Sequence, residues 1–115
     1  MTDLYDVAAI GNAIVDVIAP SSDDFIADQD LPKGGMTLID DARADELYDA
    51  MAPGQETSGG SAANSVAAIA SFGGRAAFIG KTADDQLGKV FAHDMRAIGA
   101  HYETAPLKGA AATGR

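Results

Sequence analysis

A single aspartate in an apolar stretch is the first residue that could do chemistry in this sequence. Asp16 lies in AIVDVIA, residues 13–19, which is rich in β-branched side chains and predicted to be extended. Its carboxylate accepts hydrogen bonds at both oxygens, which suits two neighbouring hydroxyls, as on a sugar. Open α/β sheets bind ligands at the carboxyl ends of their strands. Strand alternation that turns Asp16 to solvent is an equally good interpretation.

A pair of glycines and one asparagine form the second candidate group. Gly59-Gly60 directly precedes an alanine-rich helix predicted over residues 61–72. A helix start carries free N–H groups and partial positive charge, and glycine lets a ligand approach the backbone closely. Asn64 adds an amide donor and a carbonyl acceptor, and we expect it to be partly buried against a sheet. A flexible turn and a surface asparagine remain the simpler alternatives.

One apparent phosphate-binding motif is rejected. Gly80-Lys81-Thr82 resembles the end of a P-loop, but that pattern requires a glycine five residues before Gly80, where this chain has Arg75. The intervening residues are typical of a strand rather than a loop. The sequence therefore predicts no Walker-type nucleotide site here.

The remaining titratable residues are interpreted as ordinary. His93 and His101 have no carboxylates at ligand spacing to both, so neither is predicted to bind a metal or act in catalysis. Three aspartate pairs are interpreted as helix caps and solvated turns: Asp23-Asp24, Asp40-Asp41 and Asp84-Asp85.

Strands that alternate with helices are expected to position these residues. Apolar runs predict strands over residues 4–10, 13–19, 36–39 and 76–79, with residues 101–104 as a further option. Besides the helix at 61–72, one helix is predicted between Asp40-Asp41 and Pro53-Gly54, and another from Asp84 or Asp85 to Gly99. Residues 21–33 and 55–60 are predicted as loops, the first with a helical turn. This alternation indicates an α/β fold with a largely parallel sheet.

Composition excludes several classes of protein. The chain has 115 residues, of which 47% are hydrophobic and 22% charged, so one folded domain is expected. Its net charge of −9 predicts no binding to nucleic acid or anionic membrane. Because it has no cysteine, disulfides and thiolate chemistry are excluded. The start lacks the basic region of a signal peptide, and no apolar run reaches about 18 residues, so a cytoplasmic location is expected.

The stretches GNAIVD (residues 11–16) and GGSAANSVAAIASFGGRAAFIGKTADDQLG (residues 59–88) resemble the amino-terminal signature of the PfkB, or ribokinase-like, family of carbohydrate and nucleoside kinases. The resemblance spans nearly the whole chain. Asn12 after Gly11 is more similar to the adenosine kinase branch than to sugar kinases. Ala83 departs from the glycine that is usual in the family, so the turn there is expected to differ slightly.

The resemblance implies a three-layer fold with a mostly parallel sheet and a small β lid, formed here by parts of residues 13–38 and 102–115. It also implies that the substrate hydroxyls are bound by five residues: Asn12, Asp16, Gly59, Gly60 and Asn64. The implied reaction is ATP-dependent phosphorylation of a primary hydroxyl on a sugar or nucleoside, with magnesium. Relatives commonly dimerise through the lid, so a homodimer is a further expectation.

The family's second motif, Gly-Ala-Gly-Asp, carries the catalytic base and an anion hole and does not occur in this sequence. Most of the ATP site is implied to lie beyond residue 115 as well. The chain is therefore expected to be the substrate-binding amino-terminal part of a kinase, residues 1–115, with no catalytic or metal-binding residue of its own. A non-catalytic module that binds a sugar or another subunit is the competing interpretation, and an α/β domain without a ligand is a third.

Residues 1–115 expressed alone are predicted to lack kinase activity and to be poorly stable. Strands of a parallel sheet are normally covered on both faces, and uncovered edges and apolar faces promote association. Melting and size in solution test this expectation. A sharply melting monomer would contradict it, whereas rescue by a co-expressed carboxyl-terminal part would support it.

Overall fold

The computed structural model, which describes residues 4–109 and 111–115, contains a parallel pair of short apolar strands. Strand β1, Val7–Ile10, pairs in parallel with strand β4, Ala76–Ile79, in the register Val7 to Ala76 and Ile10 to Ile79. The polypeptide continues this pattern at His101, which forms one parallel bridge to Ala77. The predicted parallel α/β arrangement is confirmed for these strands.

Four helices and a second pair of strands complete the described elements. In chain order they are β2 Ile14–Ile18, α1 Asp23–Asp28, α2 Asp41–Ala50, β3 Gln55–Gly59, α3 Ser61–Ser71 and α4 Gln86–Ala97. Strand β2 pairs with β3 in a separate two-stranded sheet. Helix α3 packs against both β1 and β4.

The described residues divide into two compact units. The first contains residues 4–17 and 56–115, as far as they are described, and the second is Ile18–Gln55. In the second unit, Arg43 of α2 donates to the side-chain oxygen of Gln29 at 3.1 Å and also to its carbonyl oxygen, which ties α2 to the C-cap of α1. The predicted domain and lid also include residues 1–3 and 110, which lie outside the described residues.

An aromatic cluster forms the core of the first unit. Phe78 of β4 and Phe91 of α4 are 1% and 0% exposed, and their ring centroids are 5.5 Å apart. Tyr102 meets Phe91 edge-on at 5.2 Å, a favourable arrangement for aromatic rings. Val15 of β2, Val66 of α3 and Met95 of α4 are also fully buried. Helix α4 thus presents its apolar stripe as predicted, although Ile98 at its end is exposed.

Local signals predicted the helix ends well. Asp40 and Asp85 cap α2 and α4 by accepting the backbone N–H of Arg43 and Gly88, both at 2.8 Å. Helix α3 ends at Ser71, and Gly73 follows with a φ of +90°, as its predicted role after the helix requires.

Three predicted elements were wrong. Residues 36–39 form no strand, and Met36 and Leu38 are 86% and 89% exposed, because β-propensity without a pairing partner does not make a sheet. Residues 55–59, predicted as a loop, form β3 because β2 pairs with them. The optional strand at residues 101–104 is reduced to the bridge at His101.

Replacing Tyr102 by phenylalanine is expected to destabilise the full-length protein by about 1–3 kcal/mol. The Tyr102 hydroxyl is buried and donates to the carbonyl oxygen of Gly80 at 2.8 Å, so the change leaves a buried acceptor without this donor. Chemical denaturation measures the loss. Tyr5→Phe removes the same atom from a ring that is 40% exposed and serves as the control. Equal effects of the two changes would contradict the assignment.

Candidate functional site

The carboxylate of Asp16 lies directly against the backbone of Gly59. A Cβ built on Gly59 would be 2.5 Å from Asp16 Oδ2 and 2.8 Å from its Cγ, so any larger residue at position 59 must displace the carboxylate. Gly59 is itself buried at the end of β3. Along β2, the buried Val15 and the half-buried Val17 flank Asp16, which is exposed. The alternation of side chains along β2 therefore turns Asp16 toward solvent. On that face of the strand, its carboxylate lies beside the Gly59-Gly60 pair.

Gly60 is the second glycine of the site that another group approaches closely. Its φ is +95°, a conformation that favours glycine, and a Cβ there would be 2.9 Å from the carbonyl oxygen of Asn12. The backbone of Asn12, in the connection between β1 and β2, is thereby held against the turn that starts α3. Two candidate residues, Asn12 and Asp16, thus approach two adjacent glycines.

Asn64 lies on the first turn of α3, where its N–H donates to the carbonyl oxygen of Gly60 at 2.8 Å. The prediction that its side chain is partly buried was wrong, since Asn64 is exposed. The small alanines of α3 do pack inward, with Ala63 1% exposed, but Asn64 lies on another face of the helix. Its amide is therefore free of internal partners in the described structure and accessible to a ligand.

The start of α3 differs from the other helix starts in the described chain. Side chains of Ser22, Asp40 and Asp85 cap α1, α2 and α4, whereas α3 has Gly60 at this position, no capping side chain and no acidic residue in its first turn. Its first N–H groups and the positive end of its dipole are not neutralised by a side chain. The arrangement combines backbone N–H donors with the acceptor oxygens of Asp16. A polyol requires both, because each of its hydroxyls can donate and accept hydrogen bonds.

Two carboxylates for which the sequence predicted no role in this site, those of Asp94 and Asp85, support it from α4. Asp94 accepts the N–H of Ser58, which directly precedes Gly59, at 2.8 Å. Asp85, besides capping α4, accepts the hydroxyl and the N–H of Thr113 at 2.6 and 3.0 Å. Both contacts join residues distant in the chain, so no local pattern could have revealed them.

The pKa of Asp85 reflects these contacts. Burial of the carboxyl raises its pKa, but the hydrogen bonds from Thr113 and Gly88 and the charge of Arg115 outweigh burial, so the pKa lies below its ordinary value. Asp85 is therefore ionised at neutral pH and accepts these hydrogen bonds as a charged group.

The geometry around Lys81 differs from that of a P-loop. Lys81 donates to the carbonyl oxygen of Ala105, and α4 begins only at Gln86, so the lysine does not open a helix as in a P-loop. Within residues 4–109 and 111–115, no three or more His, Asp or Glu side chains are grouped to hold a metal ion. No helix in the same residues is long and apolar enough to cross a membrane.

Comparison with known families identifies the family of the chain. The model of the pfkB family of carbohydrate kinases matches residues 6–101, which include all five candidate site residues. The chain belongs to this family. No curated protein matches the chain.

Solved structures show the ribokinase-like fold of the family. The adenosine kinase of Sinorhizobium meliloti is 56% identical with a TM-score of 0.75, and the comparison covers 91% of this chain and 32% of that one. A probable sugar kinase from Rhizobium etli is 50% identical, also at 0.75, over 90% and 32% of the two chains. The Schistosoma mansoni adenosine kinase in complex with tubercidin shares the fold at 21% identity and a TM-score of 0.75. The chain thus spans about a third of the length of these structures.

Gly59→Ala is expected to weaken substrate binding of the full-length protein by roughly tenfold or more, because the new methyl group turns the Asp16 carboxylate away from its position. Position 59 does not have the positive φ that would add backbone strain. Calorimetric titration with a bound nucleoside or sugar measures the affinity, and thermal melting measures the stability.

Gly73→Ala is the matched control. Gly73 has a φ of +90° with no atom within 4 Å of the built Cβ, so alanine there adds strain of about 1 kcal/mol but touches no site residue. It is expected to lower the melting temperature and leave affinity unchanged. If Gly59→Ala binds substrate as tightly as the wild type, the proposed proximity of Asp16 to the substrate is wrong.

Proposed function

We propose that the full-length protein transfers the γ-phosphoryl group of ATP to a primary hydroxyl of a sugar or nucleoside, with an adenosine-like nucleoside favoured. In this proposal residues 1–115 form the substrate-binding part, and parts of residues 13–38 and 102–115 contribute to a β lid. The observation that carries it is the seat of the Asp16 carboxylate against Gly59, beside the uncapped start of α3. Membership of the pfkB family supports the reaction class.

Two observations support the proposed class of substrate, namely the descriptions of similar structures and the residue at position 12. One similar structure is described as an adenosine kinase and another as a probable sugar kinase, at 56% and 50% identity. Both kinds of acceptor carry neighbouring hydroxyls on a sugar ring. Asn12 follows Gly11, as in the adenosine kinase branch that the sequence resembles, which favours the nucleoside.

The chain's own residues would bind and orient the acceptor. The two oxygens of Asp16 would accept hydrogen bonds from neighbouring hydroxyls, while the amides of Asn64 and Asn12 can both donate and accept. First-turn N–H groups of α3 offer further donors. Because phosphoryl transfer depends mainly on positioning and charge stabilisation, fixing the acceptor in this way would raise the rate without any acid or base from these residues.

Magnesium and ATP belong to the proposal, and the described residues do not fit the metal ion. The part of the chain that the structure covers has no carboxylate or histidine cluster for a metal ion, so no step through magnesium is assigned to it. When bound, ATP supplies the phosphoryl group. A cytoplasmic location and a homodimer through the lid are further parts of the proposal. The proposed partner is a small molecule, and the net charge of −9 disfavours nucleic acid and anionic membrane as partners.

A coupled assay of ADP release tests the reaction on the full-length protein with adenosine, other nucleosides, ribose and fructose. Turnover is expected with at least one of these acceptors and to require magnesium. Failure to turn over any of them would argue strongly against the proposal.

Asp16→Asn is expected to weaken binding of the acceptor by about ten- to a hundredfold while the melting temperature stays near that of the wild type. The amide replaces one acceptor oxygen by a donor, and losing a charged hydrogen bond costs about 1.5–3 kcal/mol. Isothermal titration calorimetry measures the affinity. Asp28→Asn, which changes an exposed aspartate of α1, is the control. Unchanged affinity for Asp16→Asn would make Asp16 an ordinary solvent-facing residue.

A further inference from the structure

Two carboxylates of α4 hold segments that are far away in the chain. Asp94, near the end of the helix, accepts the backbone N–H of Ser58, 36 residues earlier. Asp85, at its start, holds Thr113, 28 residues later. A charged group that accepts a backbone N–H makes a stronger hydrogen bond than a neutral one. Helix α4 is therefore hydrogen-bonded through two carboxylates to two separate segments of the first unit.

The Asp94 contact fixes the end of β3. The distance from Ser58 N to Asp94 Oδ2 is 2.8 Å, and the Asp94 side chain is only 29% exposed. Ser58 directly precedes Gly59, the residue against which the Asp16 carboxylate lies. A shift of Ser58 would therefore move the backbone surface beside Asp16.

The Asp85 contact fixes the segment around residue 113. One oxygen of Asp85 accepts the N–H of Gly88 and the hydroxyl of Thr113, and the other accepts the N–H of Thr113. The Thr113 hydroxyl in turn accepts the N–H of Ala83 at 3.0 Å. Thr113 is 4% exposed, so this network is sheltered from water.

Both anchored segments pair with the strand that carries Asp16. Strand β2 is hydrogen-bonded to β3, which contains Ser58 and Gly59. It also forms a parallel bridge from Ile14 to Gly114, and Val15 donates to the carbonyl oxygen of Gly114 at 2.8 Å. Gly114 directly follows Thr113. Thus α4 holds, by one carboxylate each, the two segments that flank Asp16 through hydrogen bonds to β2.

We propose that Asp94 and Asp85 are positioning residues for the hydroxyl-binding site: through Ser58 and Thr113 they set the place of β2, and so of the Asp16 carboxylate relative to Gly59. Neither residue is assigned contact with substrate. The expected effect on substrate binding rests on the proposed function. The expected effect on how rigidly the segments around Ser58 and Thr113 are held does not.

Hydrogen exchange on the full-length protein tests the anchoring independently of activity. In Asp94→Ala, amide exchange at residues 58–60 is expected to speed up by about tenfold or more, the factor that corresponds to losing about 1.4 kcal/mol of local stability. Asp94→Asn retains an oxygen that can accept from Ser58 and is expected to restore slow exchange. Lys89→Ala, a change on an exposed residue of the same helix, is expected to have no effect there.

Thr113 offers the corresponding test at the other anchor. Thr113→Val keeps the side-chain shape but removes the hydroxyl that Asp85 and Ala83 contact, so exchange at residues 113–115 and at Val15 is expected to accelerate. Thr113→Ser keeps the hydroxyl and is expected to restore protection. If Asp94→Ala fails to fold, Asp94→Glu keeps the charge but displaces the oxygens, and accelerated exchange at residues 58–60 is again expected.

Steady-state kinetics separates positioning from general stability. Asp94→Ala and Thr113→Val are expected to raise KM for the acceptor about three- to tenfold, with Asp94→Asn and Thr113→Ser close to the wild type. Unchanged exchange at both segments, or a fall in melting temperature with KM unchanged, would overturn the positioning role. Absence of turnover and binding in the wild type would instead refute the proposed function, and the exchange data would still decide whether the anchors hold β2.

Discussion

The site depends on one steric constraint, which is that two consecutive residues carry no side chain. The Asp16 carboxylate occupies space beside Gly59 that a Cβ would fill, and the carbonyl oxygen of Asn12 occupies the corresponding space beside Gly60. Gly60 also has a positive φ that turns the chain from β3 into α3. The two glycines thus determine both where the carboxylate lies and where the helix begins.

The core explains why this arrangement can be held in place. Phe78, Phe91 and Tyr102 pack as one aromatic cluster and fix α4 against β4. From that fixed helix, Asp94 and Asp85 reach the two segments that pair with β2. Hydrophobic packing is not directional, but hydrogen bonds are. The aromatic cluster therefore supplies rigidity, and the two carboxylates set the position of β2.

Sequence patterns predicted the elements whose signals are local and missed those that depend on pairing. The bounds of β4 and the caps of α2 and α4 follow from nearby residues. Strand β3, Gln55–Gly59, has no apolar alternation to reveal it, and it forms because β2 pairs with it. Residues 36–39 show the opposite case, in which strand propensity finds no partner. Likewise, the alanines of α3 indicated close packing but not which face Asn64 occupies.

The sequence indicated the candidate residues as a group because their types all suit the binding of hydroxyls. The distances between these residues could not be predicted from the sequence. Asp16 is exposed and makes no hydrogen bond or ion pair with another described residue, so in the absence of ligand its oxygens are hydrated. A polyol that replaces this water must offer hydroxyls where the water was, and it gains affinity only if the carboxylate is already in position. Since β2 is held through both of its neighbouring segments, little conformational entropy remains to be lost on binding. Under the proposed function, preorganisation by α4, rather than burial of the carboxylate, is therefore the physical basis on which the exposed Asp16 would bind a sugar.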